Sequence, residues 1–186
     1  MAKGCLNKVL QFCQLIVISV CLIAPCKAEA QSREQLLKAG YIEKFTHFVD
    51  WKNNQHSNDS LFRIAVFGDD KFRLALEEIF RYVKVKDKNV RISSISSVNQ
   101  INNNLILVIP ESVGPAKLDE ILNYTTGKPI LTISEKKGYG RKGTIINLIV
   151  VDDYIRYEVN RITLGKTGLK MSSLLIKTAI LVSTDE

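Results

Sequence analysis

Two glycine-rich stretches, two histidines and four cysteines are the residues of this 186-residue chain whose types and spacing could do chemistry. Gly138-Tyr139-Gly140-Arg141-Lys142-Gly143 spells GxGxxG. That pattern cradles a pyrophosphate when it follows a strand and opens a helix. Here it precedes the apolar run Thr144 to Val151, the reverse context, and reads as a flexible glycine loop ahead of a strand. Gly165-Lys166-Thr167 has the ending of a P-loop, but Asn160 stands where the leading glycine belongs, so the cradle of backbone N–H groups is incomplete. His47 and His56 share no metal-ligand spacing with each other or with a cysteine. Asp50 lies three residues after His47 and could pair with it, and His47 reads as a surface histidine. No nucleophile elbow or Ser/His/Asp order is present, and Ser93, Ser94, Ser96 and Ser97 fall in a polar run that reads as a loop. The expectation is a protein that is not an enzyme and holds no cofactor or metal.

All four cysteines (Cys5, Cys13, Cys21 and Cys26) precede Ala30, inside a segment built like a secretory signal. Lys3 and Lys8 make a basic start, Leu15 to Ala24 is apolar, and Ala28-Glu29-Ala30 is a small-x-small cleavage site. The apolar run is shorter than the roughly 20 residues a membrane-spanning helix needs. Pro25 stands where a lipoprotein signal wants a small residue. Residues 1–30 are therefore expected to be removed, and residues 31–186 to form one exported domain without cysteine, held by packing alone. The leader carries three lysines and one glutamate, so its loss takes the formal charge from +7 to +5. The basic excess at Lys84, Lys86, Lys88, Arg91, Lys136, Lys137, Arg141 and Lys142 lacks the interleaved aromatics that stack on bases, and nucleic acid is not the expected partner.

The elements that must position these residues alternate between strand and helix. Leu37, Tyr41, Phe45 and Phe48 fall on one face of a first helix reaching about Asp50, which Trp51 closes, and Lys52 to Ser60 reads as a loop. Leu61 to Phe67 reads as a buried strand leading through Gly68-Asp69-Asp70 into an Asp-capped helix with Phe72, Leu76, Ile79, Phe80 and Val83 inward. Val90-Arg91-Ile92 and Leu105 to Ile109 read as strands. Gly114-Pro115 opens a helix facing inward with Leu118, Ile121 and Leu122. Pro129 to Ile133 is the next strand. Thr144 to Val151, Asp152-Asp153 and Tyr154 to Val159 read as an antiparallel hairpin. Arg161 to Lys166 and Ser172 to Val182 read as helices split by Gly168. The pattern predicts an α/β domain with helices packed on a sheet.

Trp51 has two readings, an aromatic lid on the core or a partner-binding anchor. Arg156, Glu158 and Asn160 share one face of the last hairpin strand because side chains alternate. On an open face they are solubilising residues; under a helix they would form a small-ligand pocket or a buried network.

The whole exported chain also resembles the YfiR family of periplasmic regulatory proteins. The resemblance rests on segments in order: Lys38-Ala39-Gly40-Tyr41-Ile42-Glu43-Lys44-Phe45 with Phe48-Val49-Asp50-Trp51, Ile64-Ala65-Val66-Phe67-Gly68-Asp69-Asp70, and Gly127-Lys128-Pro129-Ile130-Leu131-Thr132-Ile133-Ser134. It continues through Gly138 to Asn147, Arg156-Tyr157-Glu158-Val159-Asn160 and Gly168-Leu169-Lys170-Met171-Ser172-Ser173-Leu174-Leu175. It implies a three-layer α/β/α sandwich with a mixed sheet, a C-terminal hairpin plus helices, no catalysis, and a homodimer. By the same resemblance the protein represses an inner-membrane signalling enzyme, a diguanylate cyclase, by contact with its periplasmic sensor domain, and so acts in cyclic-di-GMP signalling and biofilm control. The alternative is a periplasmic small-ligand binding or sensing module for a receptor or histidine kinase, with Arg156, Glu158 and Asn160 in its pocket. The best-known members carry disulfides in the exported domain, and with no cysteine left there, redox control does not carry over.

Mass spectrometry of the periplasmic fraction is expected to show a chain beginning near Gln31. A full-length chain retained in the membrane would contradict the reading of the leader.

Overall fold

Seven residues, Leu61 to Phe67, pass between two apolar surroundings and so set the layering. In a computed structural model, which describes residues 32–51 and 60–184, Phe62, Ile64 and Val66 belong to one buried cluster and Ala65 and Phe67 to another. A strand points alternate side chains to opposite faces, so both faces of the sheet are covered here. The four cysteines, the leader and His56 lie outside the described residues. The chain divides into two compact units, Met1–Gln35 and Leu36–Glu186. Of the first, residues 32–35 are described as the opening of a helix.

Among the described residues the order is α1 (residues 32–48), β1 (Val49–Asp50), β2 (Leu61–Phe67), α2 (Asp70–Phe80), β3 (Lys84–Val85), β4 (Lys88–Ile95) and a 3-10 turn (Val98–Ile101). Then come β5 (Ile106–Ile109), α3 (Pro115–Thr125), β6 (Leu131–Ser134), α4 (Tyr139–Lys142), β7 (Ile146–Val151) and β8 (Tyr154–Asn160). The chain finishes with α5 (Arg161–Gly165), β9 (Lys170–Met171), α6 (Ser173–Lys177) and β10 (Ile180–Val182). Eight strands form one sheet in the order β10-β8-β7-β6-β5-β2-β4-β3, and β1 pairs with β9. The run from β4 to β7 is parallel, while β8 and β3 pair antiparallel with their hairpin partners. The sheet is mixed, as expected. α1 from Leu36 onward and α2 contribute to the cluster on one face, α3 and the 3-10 turn to the other, giving three layers.

Local signals account for much of this. Asp69 accepts a hydrogen bond from the Phe72 N–H at 2.9 Å and caps α2, which satisfies an N-terminal donor the helix cannot pair itself. Phe72, Leu76 and Phe80 are buried as predicted, joined by Ala75. Pro115 sits in the first turn of α3 behind Gly114.

Elsewhere tertiary contacts correct the expectation. Of the expected face of α1, Phe45 is buried and Tyr41 and Phe48 pack partly buried against the same cluster, while Leu37 is 61% exposed and the most deeply buried positions are Ala39, Ile42 and Phe45, so the stripe is shifted from the expected one. α1 stops at residue 48 because Val49 and Asp50 pair with Met171 and Lys170. β4 runs on through Ser93 and Ser94, opposite Ala65 and Val66, since the ladder needs backbone groups rather than apolar side chains. The segment from Ser172 is not one helix: α6 ends at Lys177, and Ile180–Val182 pairs parallel with Glu158–Asn160 as an eighth strand. The Asp152-Asp153 turn has φ of 49° and 62°, the left-handed pair of a type I′ hairpin turn reached without glycine.

Candidate functional site

On the face of the sheet carrying the second cluster, the filling changes from apolar to polar between β5 and β8. The register sets Ser134 beside Asn147 and Asn147 beside Glu158, so three polar side chains stand in one row across β6, β7 and β8. Ser134 Oγ donates to Asn147 Oδ1 at 2.7 Å and shares a second 2.7 Å bond with Thr144 Oγ1. Asn147 Nδ2 donates to Glu158 Oε2 at 2.8 Å. Among the described residues every buried side-chain polar atom has a partner, which is what makes burial of such a row tolerable.

α4 covers this row, and it consists of residues from the GxGxxG stretch. Gly138 and Gly143 flank it with φ of 86° and 117°, left-handed conformations that glycine adopts without strain. Gly140 between them answers a different need: a Cβ there would lie 2.6 Å from Glu158 Oε2 and 3.3 Å from Asn147 Cβ. The motif is thus a one-turn helix laid against a polar floor, correcting the expected flexible loop. It does not open onto a phosphate in the manner of a dinucleotide site.

The expected Arg156, Glu158 and Asn160 set is divided. Glu158 is half-buried in the row, and Arg156 is exposed. Asn160 is fully buried, donating from Nδ2 to Gly140 O and Thr184 Oγ1, both at 2.9 Å, while its Oδ1 caps α5 through the Thr163 N–H. Trp51 is 8% exposed. Its Nε1–H donates to Leu105 O at 3.1 Å and its ring meets Phe62 edge to face at 5.2 Å. His47 lies on the surface with Nε2 2.6 Å from Glu43 Oε1, one helical turn before it.

A second charged feature escaped the sequence reading. Lys38 on α1 and Glu135 just after β6 form an ion pair at 2.7 Å with side chains 8% and 7% exposed. The other carboxylate oxygen of Glu135 accepts from the Glu111 N–H at 3.1 Å. This closes the carboxyl ends of β5 and β6, beside the β2/β5 crossover point where doubly wound sheets usually receive ligands. Asn147 alone left a trace in the sequence, as one amide inside the apolar run Ile145 to Val151. Lys38 and Glu135 lie 97 positions apart and no local pattern joins them. Among the described residues no group of three His, Cys, Asp or Glu could hold a metal, and no helix is long and apolar enough to cross a membrane.

Gly140→Ala is expected to push Glu158 off Asn147 and cost about 1–3 kcal/mol in urea denaturation. In a Glu158→Ala background the same change should cost less, because the two sites share one contact. Trp51→Ala is expected to lower stability by about 3–5 kcal/mol through the cavity it leaves. Trp51→Phe should retain most of it, since Leu105 O still accepts from the Leu131 N–H.

No curated protein matches the chain. A family match covers residues 35–180, from the first turn of α1 to the first residue of β10, and so includes the polar row, α4 and the buried ion pair. The chain belongs to the YfiR/HmsC-like family of periplasmic regulators.

Proposed function

We propose that this protein represses an inner-membrane diguanylate cyclase by binding its periplasmic sensor domain. Membership of a family of periplasmic regulators carries the reading. The surface supports contact with another protein more than chemistry on a small substrate. β10 is the sheet's terminal strand in the described order. It carries Ile180 and Leu181 at 45% and 51% exposure, beside Ile162 at 48%. Arg161, Ile162, Leu181, Val182 and Ser183 line a shallow groove there. An edge with apolar side chains and an open backbone ladder is a natural place for a second protein to add. The same edge would serve a homodimer.

Repression then works by population shift. The regulator binds the sensor domain better in its inactive arrangement than in its active one, and that difference in affinity sets the degree of inhibition. Exported protein would meet the sensor on the periplasmic side, away from the cyclase's nucleotide chemistry.

Deleting the gene is expected to raise cyclic-di-GMP and surface attachment, and the purified exported chain should bind the sensor domain encoded beside it. Leu181→Glu with Ile162→Glu should weaken that binding by about tenfold or more without moving the melting curve. Unchanged cyclic-di-GMP in the deletion strain, with no binding to a neighbouring sensor domain, would overturn the proposal.

A further inference from the structure

The ends of α3, α4 and α5 bound a cleft of about 200 Å³. It lies at the amino-terminal edge of the sheet, over Ile130 and Ile145, which lead into β6 and β7. Two sequence motifs that the regulator reading leaves unused meet here. Lys142-Gly143 ends the GxGxxG stretch, Lys166-Thr167 ends the P-loop-like one, and all four residues line the cleft. No aspartate or glutamate is among its described lining residues. Neither lysine forms an ion pair among the described residues.

Lysines near helix C-termini ordinarily serve the terminal carbonyls. In this cleft threonine hydroxyls already do so: Thr125 donates to Ile121 O at 2.9 Å, and Thr126 and Thr167 donate to Leu122 O and Leu164 O, each at 2.8 Å. At α4 the Gly143 and Thr144 N–H groups donate to Gly140 O and Tyr139 O at 3.2 and 3.1 Å, so these helix ends have partners without the ammonium groups. Two further wall hydroxyls act as acceptors within the fold, Thr132 from the Ile145 N–H and Thr184 from Asn160 Nδ2. A hydroxyl that accepts keeps its own proton to donate. Among the described residues, two exposed lysines and threonine hydroxyls therefore line a cleft with an apolar floor and no carboxylate.

We propose that this cleft binds a small anion, its phosphate or carboxylate group held between Lys142 and Lys166. The volume is below the roughly 300–1,000 Å³ of sites for drug-sized ligands, which selects inorganic phosphate or a short organic acid over a nucleotide. α4 ends at the cleft instead of beginning there, so the site does not use the helix N-terminus of a dinucleotide fold. Thr163 and Thr184 of the cleft adjoin Ile162 and Ser183 of the β10 groove, but neither lysine lines that groove, and the site does not depend on which membrane protein the regulator contacts.

The test is titration of the isotope-labelled exported chain with orthophosphate and, separately, succinate, at constant ionic strength with chloride as reference. Saturable amide shifts clustered at Gly127, Gly143 and Thr167 are expected with at least one probe, and which probe acts identifies the head group. Lys142→Gln with Lys166→Gln should weaken binding by about tenfold or more. Lys84→Gln with Lys86→Gln, removing the same charge at β3, four strands away from β6 in the sheet order, should leave it unchanged. If the first pair fails to fold, the wild-type shift map decides: shifts spread over distant lysines overturn the site. Equal weakening by the two pairs, or no saturable response to either probe up to about 10 mM, also overturns it.

Discussion

A parallel sheet that is buried on both faces is the constraint from which the rest of this structure follows. Each residue of β5 and β6 is buried, and β2 divides its side chains between two clusters. Water cannot complete such strands, so helices must cover both sides. Ala39, Ile42 and Phe45 of α1 close one face with α2, and Leu118 and Ile121 of α3 close the other. The parallel run needs crossovers, which the helices supply, while the two antiparallel hairpins extend the sheet with tight two-residue turns.

The polar row across Ser134, Asn147 and Glu158 departs from that apolar plan and imposes a stricter geometry. An apolar layer tolerates small shifts, but a hydrogen-bonded ladder in low dielectric loses much of its value when one member moves. α4 must approach closely enough to exclude water from the row, and only a residue without Cβ can stand at position 140. Asn160 ties the same layer to α5 and to Thr184. Tyr157, on the other side of β8, donates to Leu175 O and also meets Thr178 Oγ1, which fixes α6 where the chain turns back toward β10.

Charge placement moves the accessible chemistry away from the usual crevice. At the carboxyl ends of β5 and β6 the Lys38–Glu135 pair neutralises itself and adds the Glu111 N–H. Burial of such a pair is costly unless its remaining bonding capacity is met, and breaking it from one side costs more than it gains by forming. The open features lie elsewhere: an apolar edge at β10 and a cationic cleft at the opposite, amino-terminal edge of β6 and β7.

By itself the sequence determined those features whose energy is local. The Asp69 cap, the Phe72, Leu76 and Phe80 stripe, the Gly114-Pro115 start and the apolar strands were legible because each involves neighbours within a few residues. The YfiR-like motifs carried the family, since their order along the chain survives without knowledge of contacts. Tertiary structure decided the rest. Ile180 to Val182 fits a helix as well as a strand until β8 offers an unpaired ladder. Leu37 is as apolar as Ile42, and the sheet selects which of them is buried. Arg156, Glu158 and Asn160 are equivalent in strand period, yet α4 and α5 cover two and leave one to water. Each of these choices rests on a surface formed by residues far away in the chain, and local periodicity holds no record of what will pack against it.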